Sequence, residues 1–250
     1  MTDTRLVDFI VAGAQKSGTT ALDLYLRKHP ELCLPWAKKE VHFFDRDRYF
    51  VAEPLNYAAY HAFFRPQRGH RLLGEGTPDY LYWPSAAERM ARYNPGLKLI
   101  LLLRNPVTRA FSQWNMARQK RRDTLSFFDA LKAEAERTRT MPPELAKRLA
   151  YVGRGLYAQQ LKRLWYFFPR EQTIAFKSEE LLASPATVLA TIADFLGIAQ
   201  FAPVAPTIVH AYRYERAMSD DERSHLIAIF EPEIRELEHL LDWDCSAWLT

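Results

Sequence analysis

Phe9-Ile10-Val11-Ala12-Gly13-Ala14-Gln15-Lys16-Ser17-Gly18-Thr19-Thr20 joins a short apolar run to a polar turn bracketed by glycines. Residues 9 to 12 suit a strand buried in a parallel sheet. From Gly18 onward, Ala21, Leu22, Leu24, Tyr25 and Leu26 give a mostly apolar helix that ends near His29-Pro30, where proline cannot continue it. The backbone N–H groups of residues 16 to 20 would then converge on one anion at a helix N-terminus. The lysine is displaced. A nucleotide triphosphatase loop reads G-x-x-x-x-G-K-[ST], with lysine after the second glycine to reach the outer phosphates and a hydroxyl behind it to hold magnesium. Here Lys16 lies inside the loop, and Thr19 and Thr20 follow Gly18. Taken alone, the run also fits an ordinary glycine-containing turn.

A second segment narrows the choice. Leu97-Lys98-Leu99-Ile100-Leu101-Leu102-Leu103 reads as a buried strand ending in Arg104-Asn105-Pro106, after which residues 107 to 120 run as a helix opened by proline. A triphosphatase usually carries an aspartate at the end of a neighbouring strand, holding magnesium through water. This chain has Arg104 there, a poor neighbour for a metal and a good bidentate partner for a phosphate. Ser112 stands two helical turns further on and offers its hydroxyl to the same anion. A surface salt bridge is the other use of such an arginine, but the carboxyl edge of a parallel sheet is where ligands bind.

Together, Ala14-Gln15-Lys16-Ser17-Gly18-Thr19-Thr20-Ala21-Leu22 and Leu103-Arg104-Asn105-Pro106-Val107-Thr108-Arg109-Ala110-Phe111-Ser112 resemble the two nucleotide-binding signatures of sulfotransferases that use 3′-phosphoadenosine 5′-phosphosulfate. The chain has most in common with the heparan sulfate N- and O-sulfotransferase branch and its bacterial relatives. The resemblance extends to Lys39-Glu40-Val41-His42-Phe43-Phe44-Asp45, to Gly74-Glu75-Gly76-Thr77-Pro78-Asp79-Tyr80, and to Gly155-Leu156-Tyr157 with the following helix, all in family order. It thins in the C-terminal third. Such enzymes usually return a basic, glycine-containing loop to the 3′-phosphate and adenine, and the counterpart here, His210-Ala211-Tyr212-Arg213-Tyr214-Glu215-Arg216, has no glycine. Arg213 or Arg216 takes that role, or both pair with Glu215, Asp220 or Asp221.

The resemblance implies a single-domain α/β fold over residues 1–250, a three-layer sandwich with a central parallel sheet flanked by helices, P-loop nucleotide-hydrolase-like. It implies transfer of a sulfuryl group from 3′-phosphoadenosine 5′-phosphosulfate to a hydroxyl or amine, with release of adenosine 3′,5′-bisphosphate and no metal. Lys16 would touch the 5′-phosphate and the oxygen bridging phosphorus to sulfur, with Gln15, Ser17, Gly18, Thr19 and Thr20 completing the cradle. Arg104 and Ser112 would hold the 3′-phosphate, and Lys39 would lie near the sulfuryl group or the acceptor. Glu75 is the first candidate for the base that takes the acceptor's proton. His42 is its rival, because imidazole titrates near neutral pH and other branches of the family use a histidine base. A carboxylate among lysines and arginines is a weakened base unless its site is partly desolvated. An already activated sulfuryl group needs positioning and charge stabilisation more than a metal. A small-molecule kinase using ATP and a catalytically silent nucleotide-binding module remain the competing readings.

Composition agrees with one soluble α/β domain: 250 residues, 48% hydrophobic and 13% aromatic. Leu161, Leu164, Trp165 and Phe168 follow helical spacing, so the aromatics read chiefly as core. A net charge of +4 with the clusters Lys120-Arg121-Arg122 and Lys147-Arg148 suits an anionic cofactor or glycan, and equally solvated helix faces. Basic residues interspersed with acidic ones, with no helix-turn-helix, finger or RNA-binding signature, argue against a nucleic-acid partner. Residues 1 to 6 run straight into the first strand, which leaves no room for a signal peptide. No apolar run approaches the ~20 residues needed to span a bilayer, so a cytoplasmic location is expected. Cys33 and Cys245 lack metal spacing and read as free thiols. The acceptor is expected to be a carbohydrate, lipid or secondary metabolite, and the oligomeric state is left open.

Further elements follow by period and punctuation. Helices are expected over Asn56 to Phe64, Ser85 to Tyr93, Pro106 to about Arg139 with a break near Arg122-Asp123-Thr124, Gly155 to Phe168 and Pro185 to Leu196. Strands are expected at Arg71 to Gly74, with Glu75 at the end, and at Gln172 to Phe176. Met141-Pro142-Pro143 interrupts, and the segment to Gly155 is expected to be a mobile acceptor loop. Ser219 should cap a helix to about Leu241, with Glu222 in the capping-box position.

Overall fold

The computed structural model describes residues 5–205 and 214–250. In chain order the main elements are β1 (Phe9–Gly13), α1 (Thr19–Leu26), β2 (Leu32–Cys33), α2 (Ala58–His61), β3 (Leu72–Gly76), α3 (Ala86–Tyr93), β4 (Lys98–Leu103), α4 (Pro106–Gln119), α5 (Phe127–Thr140), α6 (Pro143–Ala146), α7 (Tyr157–Phe167), β5 (Thr173–Lys177), α8 (Ser178–Ala183), α9 (Pro185–Leu196) and α10 (Asp220–Leu241). The chain divides into two compact units, one within residues 1–103 and 163–209, the other within 104–162 and 210–250.

The first unit holds the sheet, five parallel strands in the order β2-β3-β1-β4-β5, flanked by helices. β1 is central and buried along its whole length, as its unbroken apolar run requires. The order reverses around it. From β1 the chain goes out to β2, returns to β3 and then crosses to β4 on the other side, which makes the carboxyl end of β1 the switch point where such sheets bind ligands. On one face Phe9 and Val11 of β1, Ile100 and Leu102 of β4 and Phe176 of β5 alternate at period two and meet Leu22, Tyr25 and Leu26 of α1 and Val188, Leu189, Ile192 and Leu196 of α9.

The second unit is helical. Pro106 opens α4, whose first free N–H groups are taken by the Asn105 side chain, from Val107 at 2.9 Å and Thr108 at 3.4 Å. Ser219 and Glu222 close a reciprocal capping box on α10. The stretch after Met141 is not a free loop. It forms α6, and the buried Glu134 carboxylate of α5 accepts the N–H groups of Tyr151, Val152 and Gly153 at 2.7, 2.7 and 2.8 Å. Arg109 of α4 is fully buried and donates to Gln113 Oε1 at 2.8 Å and to the Tyr151 carbonyl. These buried hydrogen bonds tie the segment to α4 and α5.

Against the sequence reading, α2 is shorter than the expected helix, and the two-residue β2 and the six-residue α8 went unanticipated. β3 continues through Gly76, which places Glu75 inside the strand. Cys33 and Cys245 are buried free thiols. Among the described residues no helix is long and apolar enough to cross a membrane.

Candidate active site

The loop after β1 is built to keep its backbone close to its neighbours. Ala14 N–H donates to the Leu102 carbonyl at 2.7 Å, and Leu81 N–H donates to the Ala12 carbonyl at 2.9 Å. A Cβ at Gly13 would stand 2.6 Å from Leu81 Cδ2, so only glycine fits there. Lys16 has φ 70° and Gly18 φ 89°. Left-handed residues interspersed in a turn point successive N–H groups into one concavity, an anion nest. Gly18 is the N-cap of α1 and supplies no side-chain acceptor, so the helix opens with its N–H groups uncapped by a side chain. Gln15 Oε1 and Ser17 Oγ are buried without a hydrogen-bond partner in the same loop. These features fit a bound phosphate group.

Lys39 reaches this loop. Its Nζ donates to Thr19 Oγ1 at 3.2 Å and Thr20 Oγ1 at 3.3 Å, and to Glu40 Oε1 at 3.2 Å. The other Glu40 oxygen lies 3.3 Å from His42 Nε2, and His42 Nδ1 meets Asp45 Oδ2 at 2.8 Å. Burial works against a charge on His42, but the bonds to Asp45 and Glu40 outweigh it and push the imidazole up to about 9. Glu40 is opposed by burial yet held below the usual carboxylate range by His42 and Lys39. His42, Asp45 and Asp79 bring ligand atoms within 4.8 Å of one another, and the imidazolium is itself the cation among them. Three residues before Lys39, Trp36 is 54% exposed, and the Arg65 guanidinium lies 3.5 Å from its ring centroid.

The two candidate bases lie in contrasting surroundings. Glu75 is wholly buried, and its carboxylate accepts hydroxyl protons from Tyr60 at 2.9 Å, Tyr80 at 2.8 Å and Thr77 at 2.6 Å. Burial raises it, the three hydroxyls pull it back, and it rests at about 7. Its basicity would suit a base, but it presents no exposed surface to an acceptor. His42 already carries a proton at neutral pH and cannot take another. Glu40, which the sequence reading does not single out, has a side chain 38% exposed and is linked through Lys39 to the loop threonines. Its signal was present in Lys39-Glu40-Val41-His42: a carboxylate between a lysine and a histidine.

In the second unit, Arg104 is half-buried, directly follows β4 in the chain, and donates from Nε to Thr108 Oγ1 at 3.1 Å. Tyr157 Oη donates to its carbonyl at 3.0 Å. Ser112 is buried on α4. Arg216 forms a bidentate pair with Glu222, at 2.7 and 2.5 Å, and lies over the rings of Phe111 and Trp114. This is the salt-bridge use of Arg216, with Glu222 as partner in place of Glu215, Asp220 or Asp221. Burial costs Glu222 some of its charge preference, and the Arg216 bond restores it to below the usual range. Arg213 lies outside the described residues.

A family model described as "Sulfotransferase domain" matches residues 6–233. Human heparan sulfate glucosamine 3-O-sulfotransferase 6 is 31% identical over 194 residues, covering 78% of this chain and 53% of its own. Membrane-associated sulfotransferase kil1 of Dictyostelium discoideum is 40% identical over 114 residues, 46% of this chain and 24% of its own. The chain thus spans about half the length of the heparan sulfate relative, 53%, and less of kil1. The crystal structure of a sulfotransferase from Alicyclobacillus acidocaldarius superposes with a TM-score of 0.83 at 35% identity, over 98% of this chain and 100% of that one. The sulfotransferase domain from the curacin biosynthetic pathway, 19% identical with a TM-score of 0.51, shares the fold.

Proposed function

The chain belongs to the sulfotransferase family, and from that premise we propose that it moves a sulfuryl group from 3′-phosphoadenosine 5′-phosphosulfate to an acceptor hydroxyl or amine, releasing adenosine 3′,5′-bisphosphate. The observation that carries the reading is the phosphate nest at residues 13–20 with Lys39 bonded to its threonines and Glu40 beside it. The 5′-phosphate sits on the loop. As the acceptor oxygen or nitrogen attacks sulfur, the bond from sulfur to the bridging oxygen breaks, and Lys16 offsets the charge left on the phosphate. Lys39 turns to the sulfuryl oxygens, which frees Glu40 Oε1 to take the acceptor's proton. His42, as imidazolium, holds the other Glu40 oxygen. Arg104 and Ser112 take the 3′-phosphate, a role suited to a guanidinium fork and a buried hydroxyl.

The continuous family match from residue 6 to 233 supports reading residues 1–250 as one sulfotransferase domain. An anionic carbohydrate is the acceptor we favour. Relatives named for heparan sulfate support it, as does exposed Trp36 with Arg65 stacked on it, a ring face and a cation suited to an acidic sugar. Thermal unfolding tests the donor. Adenosine 3′,5′-bisphosphate at about 100 times its dissociation constant should add about 2.7 kcal/mol without metal. Protection by ATP with magnesium alone would overturn the reading in favour of a kinase.

A further inference from the structure

The buried Glu75 cluster is unused in the chemistry above, yet its hydrogen bonds lead to the catalytic segment. Thr77 spends its one hydroxyl proton on Glu75 Oε2 at 2.6 Å, and Tyr80 spends its own on Oε1 at 2.8 Å. With those protons committed, both oxygens are left as acceptors. Thr77 Oγ1 receives the N–H of Val41 at 3.0 Å and of His42 at 3.3 Å, and Tyr80 Oη receives the N–H of Phe43 at 3.0 Å. Three successive backbone donors, outside any helix or strand, are thereby hung from one carboxylate through two hydroxyls. The middle residue, His42, has φ 55°, a left-handed conformation that a histidine adopts at a cost unless its surroundings fix it.

We infer that Glu75 is a positioning residue for sulfuryl transfer, acting through Thr77 and Tyr80 to set the turn at 41–43 and so to aim Glu40, Lys39 and His42 at the phosphate loop. This rests on the sulfotransferase reading for its catalytic meaning, while the positioning itself is a property of the free chain. A carboxylate is the group the arrangement needs. In its charged form it carries no proton and offers four lone-pair sites, enough to accept Tyr60, Tyr80 and Thr77 together. A glutamine would turn N–H donors toward at least one hydroxyl. That hydroxyl would have to accept, and its proton would then face a backbone N–H of the turn.

The test uses the full chain and the variants Glu75→Gln, Thr77→Val, Tyr80→Phe and Glu40→Gln. Amide hydrogen exchange at Val41, His42 and Phe43 is measured along with the NMR titration of His42, the affinity for adenosine 3′,5′-bisphosphate, and sulfuryl transfer to a heparan sulfate oligosaccharide. Glu75→Gln, Thr77→Val and Tyr80→Phe should each speed exchange at 41–43 and lower the His42 midpoint, and each should cut turnover roughly 100-fold with bisphosphate affinity kept. Glu75→Gln combined with Tyr80→Phe should be no worse than Glu75→Gln alone, since both act on one chain of bonds. Glu40→Gln should lose turnover with exchange unchanged. Loss of turnover in Glu75→Gln with normal exchange, or normal exchange and His42 titration in both hydroxyl variants, overturns the positioning role. Should Glu75→Gln fail to fold, the two hydroxyl variants keep the carboxylate and decide the matter. A wild-type chain that does not bind the bisphosphate overturns the sulfotransferase reading, and the exchange data still settle what Glu75 does to the turn.

Discussion

Replacing His42 by asparagine should remove a pH-dependent share of stability whose size follows from the site. Asparagine tolerates the left-handed φ of 55° at this position, so the change deletes the imidazole with little added backbone strain. Burial disfavours the imidazolium, but Asp45 and Glu40 bond both ring nitrogens, Asp79 adds attraction, and the midpoint rises from 6.5 to about 9. The folded value lies above the unfolded one. The stabilisation is therefore fully present below about pH 6.5 and is lost as pH climbs through about 9. A rise of that extent is worth about 3 kcal/mol. Urea unfolding followed by circular dichroism at a series of pH values would measure it, as the difference between wild type and His42→Asn. The wild-type advantage should shrink by about 3 kcal/mol between about pH 6 and about pH 10. An NMR titration of the imidazole should turn over near 9, and Asp45→Asn should bring it back toward 6.5. A midpoint near 6.5 with a constant stability gap would refute the argument, and would return His42 to contention as a neutral base.

Glu40→Gln should lower kcat by about 10²- to 10⁴-fold, the range for losing a general base, with bisphosphate affinity retained by calorimetry. Arg104→Ala should weaken bisphosphate binding by about 1.5–3 kcal/mol, and Arg104→Lys should recover only part because an ammonium lacks the planar fork. Trp36→Ala should raise KM for a glycan acceptor roughly 2- to 10-fold, consistent with about 0.5–1.5 kcal/mol for an aromatic contact, and leave donor affinity alone. An unchanged KM would remove Trp36 from the acceptor site.

What could be read from the sequence was what repeats or punctuates. The apolar run at 9–12, the loop with its displaced lysine, Pro106 opening α4 and the Ser219–Glu222 box all lie where periodicity and capping put them. β2 and α8 are two and six residues long, too short for any period to show. The loop after Pro143 was misjudged for a different reason: Glu134, which ties it, sits on a preceding helix, and nothing local marks a side chain that caps a distant turn.

The two carboxylates show where the limit lies. Glu75 stands in a conspicuous motif between glycines, and Glu40 stands in an equally conspicuous one beside lysine and histidine. Motif likeness puts Glu75 first and passes over Glu40, because a motif does not show access, on which the work of a base depends. β3 carries Glu75 two residues beyond buried Leu73, on the same side of a strand in a covered sheet, and the surrounding tyrosines use their rings for packing and their hydroxyls to satisfy it. Glu40 follows Lys39, whose ammonium is bonded to the loop threonines and to Glu40 Oε1, so Glu40 is tied to the loop through that lysine. The displaced Lys16 follows the same logic. A lysine inside the loop leaves the position after Gly18 to threonine, and the Thr19 and Thr20 hydroxyls then hold Lys39. In a triphosphatase loop the hydroxyl behind the lysine holds a metal; here the threonines after Gly18 accept from a second lysine.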